Sequence, residues 1–435
     1  MMYRYLPIRD IYAREILDSG GNPALEAEVL IEEETIGRAA VPSGSLPDKI
    51  SGYKAKGSAD KAAVQLWDKE TRYLGRGVER AVGNVNEQVA QAVIGWNVFD
   101  QAGLDRLLAK TDGSRDKRNL GANTLLGVSM AAANAAAQAL HMPLYRYLGG
   151  TNAGEMPIPV MSALEGGAHN KNALDIQEIM LVPGRSKNFR ERLRICTEIY
   201  HIVKDILREN KLSAETGESG GFMPDLPDVK EALKLIKEAA ERTDYVWGTD
   251  IFIALDIGAQ GLYREDRRMY EFPGESRMKG QHILRSAREM TEYCEELLGE
   301  FPICFIQDPL GADDWKGWDH LMEELGEQHT IAGGTLFSSN VRQIERGILS
   351  GTANAAVISL HEAGTLSEIF HAIKTAKSAG YKVMLSHSPG ETENTLIADI
   401  AVAFHAEYIR AGAPAGMERI AKYNRLLRIE EEAGA

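Results

Sequence analysis

The chain has 435 residues, a formal net charge of −14, and 44% apolar and 26% charged residues. This is a globular composition with room for more than one core, and its charge disfavours broad binding to nucleic-acid backbones or anionic membranes. No run approaches the roughly 18 uninterrupted apolar residues of a membrane helix, and MMYRYLPIRD lacks the apolar core of a signal peptide, so a cytoplasmic protein is expected.

In chain order, Ile8 to Val41 alternates short apolar runs divided by GGNP (Gly20 to Pro23) and the acidic stretch Glu32 to Glu34, which predicts an antiparallel meander. From Asp60 the period turns helical, with segments near Lys61 to Trp67, Val85 to Val93 and Leu120 to Leu140, ending at Gly149 and Gly150. Strands followed by helices describe an α+β domain over 1–150, with a boundary near Thr151 to Pro157. Over 151–435 short apolar strands precede helical stretches: Ile176 to Leu181, Ile251 to Leu255, Ile303 to Ile306, Ala355 to Ile358 and Val383 to Leu385. The rhythm predicts an α/β fold with a barrel of parallel strands inside a ring of helices. After the last strand, Pro389 and Gly390 break the chain, and Glu391 to Ala403 reads as a helix capped near Thr392.

Three cysteines, Cys196, Cys294 and Cys304, are scattered without CxxC spacing, which argues for a reducing compartment and against zinc. The basic run GRSKNFRERLRI from Gly184 has no aromatic platform and reads as a solvated helix face rather than a nucleic-acid patch.

Polar residues collect at the strand ends. Gln177 and Glu178 sit in the first predicted strand, Asp256 follows IFIAL, Gln307 and Asp308 follow ICFI, Ser359 to Glu362 follow AAVI, and His387 follows VMLS. A lone carboxylate at a strand end is commonly a turn cap, whereas several converging on one barrel mouth make a site. Two loops add to it: GESGGFMPD (Gly217 to Asp225) has mobile-loop glycines, and EGGAHNKN (Glu165 to Asn172) presents His169. The acid–base candidates are Glu178, His169, His387 and Glu362. As magnesium ligands the central strands offer only Asp256 and Asp308, a poor set for an octahedral ion.

AREILDSGGNP (Ala13 to Pro23), GRAAVPSG (Gly37 to Gly44), NLGANTLLGVSMA (Asn119 to Ala131), PLYRYLGG (Pro143 to Gly150), DIQEIM (Asp175 to Met180) and ADDWKGW (Ala312 to Trp318) resemble enolase blocks in that family's order. So do GTLSE (Gly364 to Glu368), LSHSPGETENTLIAD (Leu385 to Asp399) and AKYNRLLRIEEE (Ala421 to Glu432). The resemblance implies an N-terminal α+β domain, a modified (β/α)8 barrel, and a homodimer or dimer-based oligomer. It also implies descent from a Mg2+-dependent lyase that dehydrates 2-phosphoglycerate to phosphoenolpyruvate. In that reaction a lysine removes a proton beside a carboxylate, magnesium stabilises the dianion, and a glutamate assists loss of hydroxide.

Carried across residue by residue, the resemblance puts the three magnesium carboxylates at Asp256, Gln307 and Gly334, of which only Asp256 is acidic. Thr335 replaces the next aspartate, Ser359 the base lysine, Ser219 (beside Glu218) the acid glutamate, and Arg410 the second active-site lysine. Ser388 and Pro389 stand at the arginine and serine of the phosphate motif, and Gly416, Met417 and Glu418 at the family's RSE. Ser43, His169, Gln177, Glu178, Asp256 and His387 are retained, and the closing loop reads Ser43 to Asp48. Loss of metal carboxylates together with anion-binding cations keeps such a pocket near charge balance.

The expectation is an enolase-family protein that binds no tight Mg2+, does not dehydrate 2-phosphoglycerate, and is non-catalytic or binds a small anion. One alternative is a repurposed lyase on another hydroxy acid or phosphonate. The other is a residual dehydratase using Glu218 as acid, with Asp256 and Asp308 on magnesium. The resemblance also implies a dimer interface pairing Arg14 and Glu26 with Arg428 and Glu431.

Overall fold

The computed structural model describes residues 5–32, 35–44, 62–68, 71–167, 170, 172–184 and 188–434. The predicted meander is present as β1 (Asp10–Leu17), β2 (Pro23–Leu30) and β3 (Ile36–Val41), paired antiparallel in that order. An alanine-rich helix, Ala122–Ala139, is almost wholly buried against this sheet. Its small side chains let the backbones close up: a Cβ added at Gly37 would lie 2.1 Å from the Ala131 carbonyl oxygen.

Beyond it the chain forms β4 (Ile158–Glu165), β5 (Glu178–Pro183) and β6 (Ile251–Asp256). A small antiparallel sheet of β7 (Tyr263–Arg264), β8 (Met269–Glu271) and β9 (Leu284–Arg285) interrupts them. Then follow β10 (Ile303–Gln307), β11 (Ile331–Gly333), β12 (Ala355–Ser359), β13 (Lys382–Ser386) and β14 (Tyr408–Arg410). β10, β11, β12, β13, β14, β4, β5 and β6 close into a barrel in that order. An α+β layer followed by an eight-stranded barrel with outer helices is the architecture expected.

Four expectations are corrected. The barrel is not all parallel, because β5 runs antiparallel to both β4 and β6. The β4–β5 connection carries no helix among its described residues, and without a crossover the chain can only return in the opposite direction. The reversal brings the first residue of β5, Glu178, level with the last residues of β4 and β6, Glu165 and Asp256. The first barrel strand is β4 rather than the stretch from Ile176, and Gln177 lies just outside β5; β11 and β14 also went unpredicted.

Lys61 to Trp67 is not helical over its described residues, because tertiary partners take its backbone. The Ala63 N–H donates to the Glu362 carbonyl at 2.9 Å, that of Val64 to Asp116 at 2.7 Å, and that of Leu66 to Asn123 Oδ1 at 3.0 Å. The helix expected from Glu391 begins only at Leu396 with Thr395 as its cap. Glu391 is held instead by the Ser388 N–H (3.0 Å) and by Lys422 Nζ (2.8 Å), which also donates to the Thr392 carbonyl at 3.0 Å.

Candidate functional site at the barrel mouth

A strand alternates its faces every residue, so the barrel interior is built in layers two residues apart. The apolar layer holds Val160, Met180, Ala254, Phe305, Ala332, Val357, Met384 and Tyr408, one from each strand. Two residues toward the mouth, with β5 counted backward because it is reversed, stand Ser162, Glu178, Asp256, Gln307, Gly334, Ser359, Ser386 and Arg410. Seven of the eight can hydrogen-bond through a side chain.

This ring is wired largely to itself. Arg410 Nη1 lies 2.8 Å from Asp256 Oδ2 and 3.2 Å from Glu178 Oε2, and its Nε donates to Ser386 Oγ at 2.9 Å. Ser162 Oγ donates to Glu178 Oε1, and Gln307 Nε2 donates to Asp256 Oδ2 at 2.9 Å. Burial pushes the Asp256 carboxyl up to about 7 even though the Arg410 charge pulls the other way. Glu165, missed in the sequence, faces Glu178 in register and accepts N–H bonds from Gly221 (2.6 Å) and Ser219 (3.2 Å). Burial first, and the Glu178 charge second, hold its carboxyl well above the usual range. The signal for Ser162 and Glu165 was the apolar run PIPVMSALE, which has strand composition and ends on a carboxylate.

Around the ring, Ser219 Oγ lies 3.3 Å from His387 Nε2, and the His387 N–H donates to the Arg410 carbonyl at 2.8 Å. Ser388 Oγ meets His361 Nδ1. Burial lowers His361 to about 4; burial, with Arg410 second, lowers His387 to about 3. Both imidazoles are therefore neutral near pH 7 and weakly basic, a poor match for general-base work at that pH. Glu362 accepts from Ser339 Oγ at 2.5 Å, and burial raises its carboxyl to about 7. Ser339, also missed, accepts the Ser359 N–H at 2.9 Å and so couples the ring to Glu362.

The other expected residues lie apart. Ser43 is buried and donates to Asp18, while Ser45 to Asp48 of the closing loop lie outside the described residues. Gln177 is exposed, and His169 lies outside the described residues. Glu218 is an exposed residue whose carbonyl accepts from Arg419 Nη1 at 2.9 Å. Asp308 is committed to backbone: its oxygens accept the N–H groups of Gly334 (2.9 Å) and Thr335 (2.8 Å). In the basic run, Arg185 to Lys187 are outside the described residues, and Arg194 pairs with Glu191 (2.6 Å) and Glu198 (3.1 Å) on its own helix.

The mouth does not fit a tight magnesium site. Asp256 Oδ1 and Gln307 Oε1 are buried acceptors without a partner, so one carboxylate and one amide oxygen are free. A third ligand is missing, and a Cβ at Gly334 would already lie 2.7 Å from Asp308 Oδ2 and 2.8 Å from Gln307 Nε2. The other Asp256 oxygen is taken by a guanidinium, and no group of three His, Cys, Asp or Glu suited to a metal occurs among the described residues.

An α+β layer leading into a closed barrel with one reversed strand and a polar ring at its mouth defines a TIM-barrel protein of two parts. Residues 8–148 match the family model for the enolase N-terminal domain, and residues 153–435 that for the enolase C-terminal TIM barrel domain. The chain belongs to the enolase family. Members of that family typically bind Mg2+ and are often dimers. No described helix of this chain is long and apolar enough to cross a membrane.

Proposed function

We propose that this enolase-family chain does not dehydrate 2-phosphoglycerate and serves as a non-catalytic, ligand-binding protein of the cytoplasm. The observation that carries the reading is the Arg410 guanidinium seated against Asp256 and Glu178. The guanidinium occupies one oxygen of Asp256, the single acidic residue left among the three metal positions. The proton beside a substrate carboxylate has a very high pKa, and its removal needs both a base and a cation to meet the new charge. Ser359 stands at the family's lysine position with its N–H bonded to Ser339, and a serine without an activating base cannot accept that proton.

The test is turnover of 2-phosphoglycerate to phosphoenolpyruvate with excess Mg2+, with an identically purified Asp256→Ala variant as contamination control. No product above the control is expected. Product formation abolished by the variant would overturn the reading.

A second reading, a repurposed lyase on another hydroxy acid or phosphonate, is favoured by Glu165. A carboxyl that keeps its proton well above the usual range, beside Ser219 and His387, has the makings of a general acid. Turnover of such a substrate, lost in Glu165→Gln, would establish it.

We further propose a homodimer pairing Arg14 and Glu26 with Arg428 and Glu431. Within one chain Arg14 already pairs with Glu26 and Glu28, and Tyr12 and Leu17 of the edge strand β1 are exposed. Light scattering at micromolar concentration tests it; a monomer would sink it.

A further inference from the structure

Two buried oxygens of the ring, Asp256 Oδ1 and Gln307 Oε1, have no hydrogen-bond partner among the described residues. Asp256 is 2% and Gln307 4% exposed, and an acceptor left unbonded at that depth costs stability unless something donates to it. The orientation of the amide is settled by its surroundings. Gln307 Nε2 donates to Asp256 Oδ2 at 2.9 Å and lies 3.3 Å from Asp308 Oδ2, so turning the amide over would set its oxygen against two carboxylates. Asp308 is fixed in turn: it adopts φ 44°, uncommon for a residue with a side chain, and its oxygens hold the Gly334 and Thr335 N–H groups.

The two free oxygens belong to neighbours. Gln307 and Asp256 are Cα partners across β10 and β6, strands about 4.8 Å apart, a spacing that one ammonium can bridge with N–H bonds of about 2.9 Å. Charge selects a cation over a neutral donor. Asp256, Glu178 and Asp308 all act on one guanidinium, that of Arg410. Arg419 and Lys422, whose charges reach His387 beside the ring, are already paired with Glu418 (2.7 Å) and Glu391 (2.8 Å). Mg2+ suits the place poorly, since it gives up water reluctantly and demands near-ideal octahedral geometry. A primary ammonium carries one charge and three donors and needs no fixed polyhedron. The layer beneath the ring is apolar, so a ligand enters from the mouth with its amine leading.

We propose that the barrel mouth binds the protonated amine of a small organic molecule, with the ammonium donating to Asp256 Oδ1 and Gln307 Oε1 beside the Arg410 pair. This rests on the non-catalytic, ligand-binding reading above and names the class of ligand. The ammonium takes the place of the small anion expected from the sequence.

The test is thermal unfolding of the full chain at pH 8, titrated with methylammonium chloride, with potassium chloride and tetramethylammonium chloride at equal ionic strength as controls. Both control cations carry the charge without N–H donors. A saturable rise in Tm with methylammonium alone is expected, with half-saturation in about the millimolar range because so small a probe makes few contacts. Gln307→Met removes the amide oxygen and Asp256→Asn the charge, and each should weaken half-saturation by roughly tenfold. If Asp256→Asn does not fold, Gln307→Met gives the same readout, and the comparison of the three salts in the wild type needs no variant. No saturable rise, an equal rise with either control cation, or a rise retained in the variants would overturn the proposal. The readout is separate from turnover. A protein that makes no phosphoenolpyruvate and shows no methylammonium shift overturns the amine assignment and leaves the non-catalytic reading standing, whereas product formation beside a methylammonium shift overturns that reading instead.

Discussion

Arg410, the last residue of β14, and Asp256, the last residue of β6, meet at 2.8 Å across the barrel mouth although 154 positions separate them in sequence. The pair is buried, and Glu178 completes it from the reversed strand at 3.2 Å. A buried carboxylate needs a countercharge, and Arg410 is that charge.

Arg410→Met should therefore destabilise the protein by about 3 to 5 kcal/mol at pH 8, because it strands two buried carboxylates. The cost should shrink at pH 5. Asp256 already has its folded pKa raised to about 7, and loss of the arginine raises it further, so at pH 5 the carboxyl is protonated and needs no partner. Urea unfolding at the two pH values measures this; an equal loss at both would show that Arg410 does not act as a countercharge.

Restoring one ancestral ligand should fail. Gly334→Asp puts a Cβ within 2.7 Å of Asp308 Oδ2 and 2.8 Å of Gln307 Nε2, so it should cost about 1 to 3 kcal/mol by overpacking. With Arg410 still on Asp256, neither the wild type nor this variant should gain thermal stability from Mg2+ over EDTA. A magnesium-dependent rise in Tm in the wild type would refute the misfit argued for the mouth.

Glu362 should leave a signature in pH-dependent stability. Its folded pKa, raised to about 7, contributes stability that is fully present below the unfolded value of about 4.3 and is lost as pH rises through 7. Wild type minus Glu362→Gln should therefore decline across that window, with a slope approaching about one proton-equivalent. His361 and His387 act in the opposite sense. Their lowered pKa values contribute stability above about 6.5 that is lost as pH falls, but they are present in both proteins and drop out of the difference. Chemical unfolding between pH 4.5 and 7.5 gives the slope, and a flat difference would contradict it.

Lys422 is buried, with its ammonium on Glu391 (2.8 Å) and on the carbonyls of Thr392 (3.0 Å) and Glu418 (2.7 Å). It delays the start of the Leu396–Ala403 helix by holding Glu391 and the Thr392 carbonyl. Lys422→Met should cost about 3 to 5 kcal/mol, and Glu391→Gln combined with it should recover part of that loss. Denaturant midpoints of the two singles and the double would read the coupling; strict additivity would show that the ion pair is not what holds this segment.

Much of the architecture was legible because it follows from local period. Alternation over Ile8 to Val41 gave the meander, alanine spacing gave the Ala122–Ala139 helix, and apolar runs gave five of the barrel strands. β11 and β14 went unread because three residues are too few to show a period. β4 is a continuous apolar run without a period of its own, and nothing in the local pattern of β5 shows that it runs opposite to its neighbours. The helical reading of Lys61 to Trp67 failed because hydrogen bonds to Glu362, Asp116 and Asn123 outweigh propensity there.

By itself the sequence determined the family, the order of elements and the identities at the mouth: glutamine at 307, glycine at 334, serine at 219 and 359, arginine at 410. Those follow from residue type and order along one chain. Only the tertiary structure decided that Arg410 sits on Asp256 and Glu178, and that Glu165 opposes Glu178. Each of these depends on the direction of β5, the closure of the barrel or the docking of the two layers. Charge compensation acts over a few ångströms in space, and the chain brings those groups together only when it closes on itself.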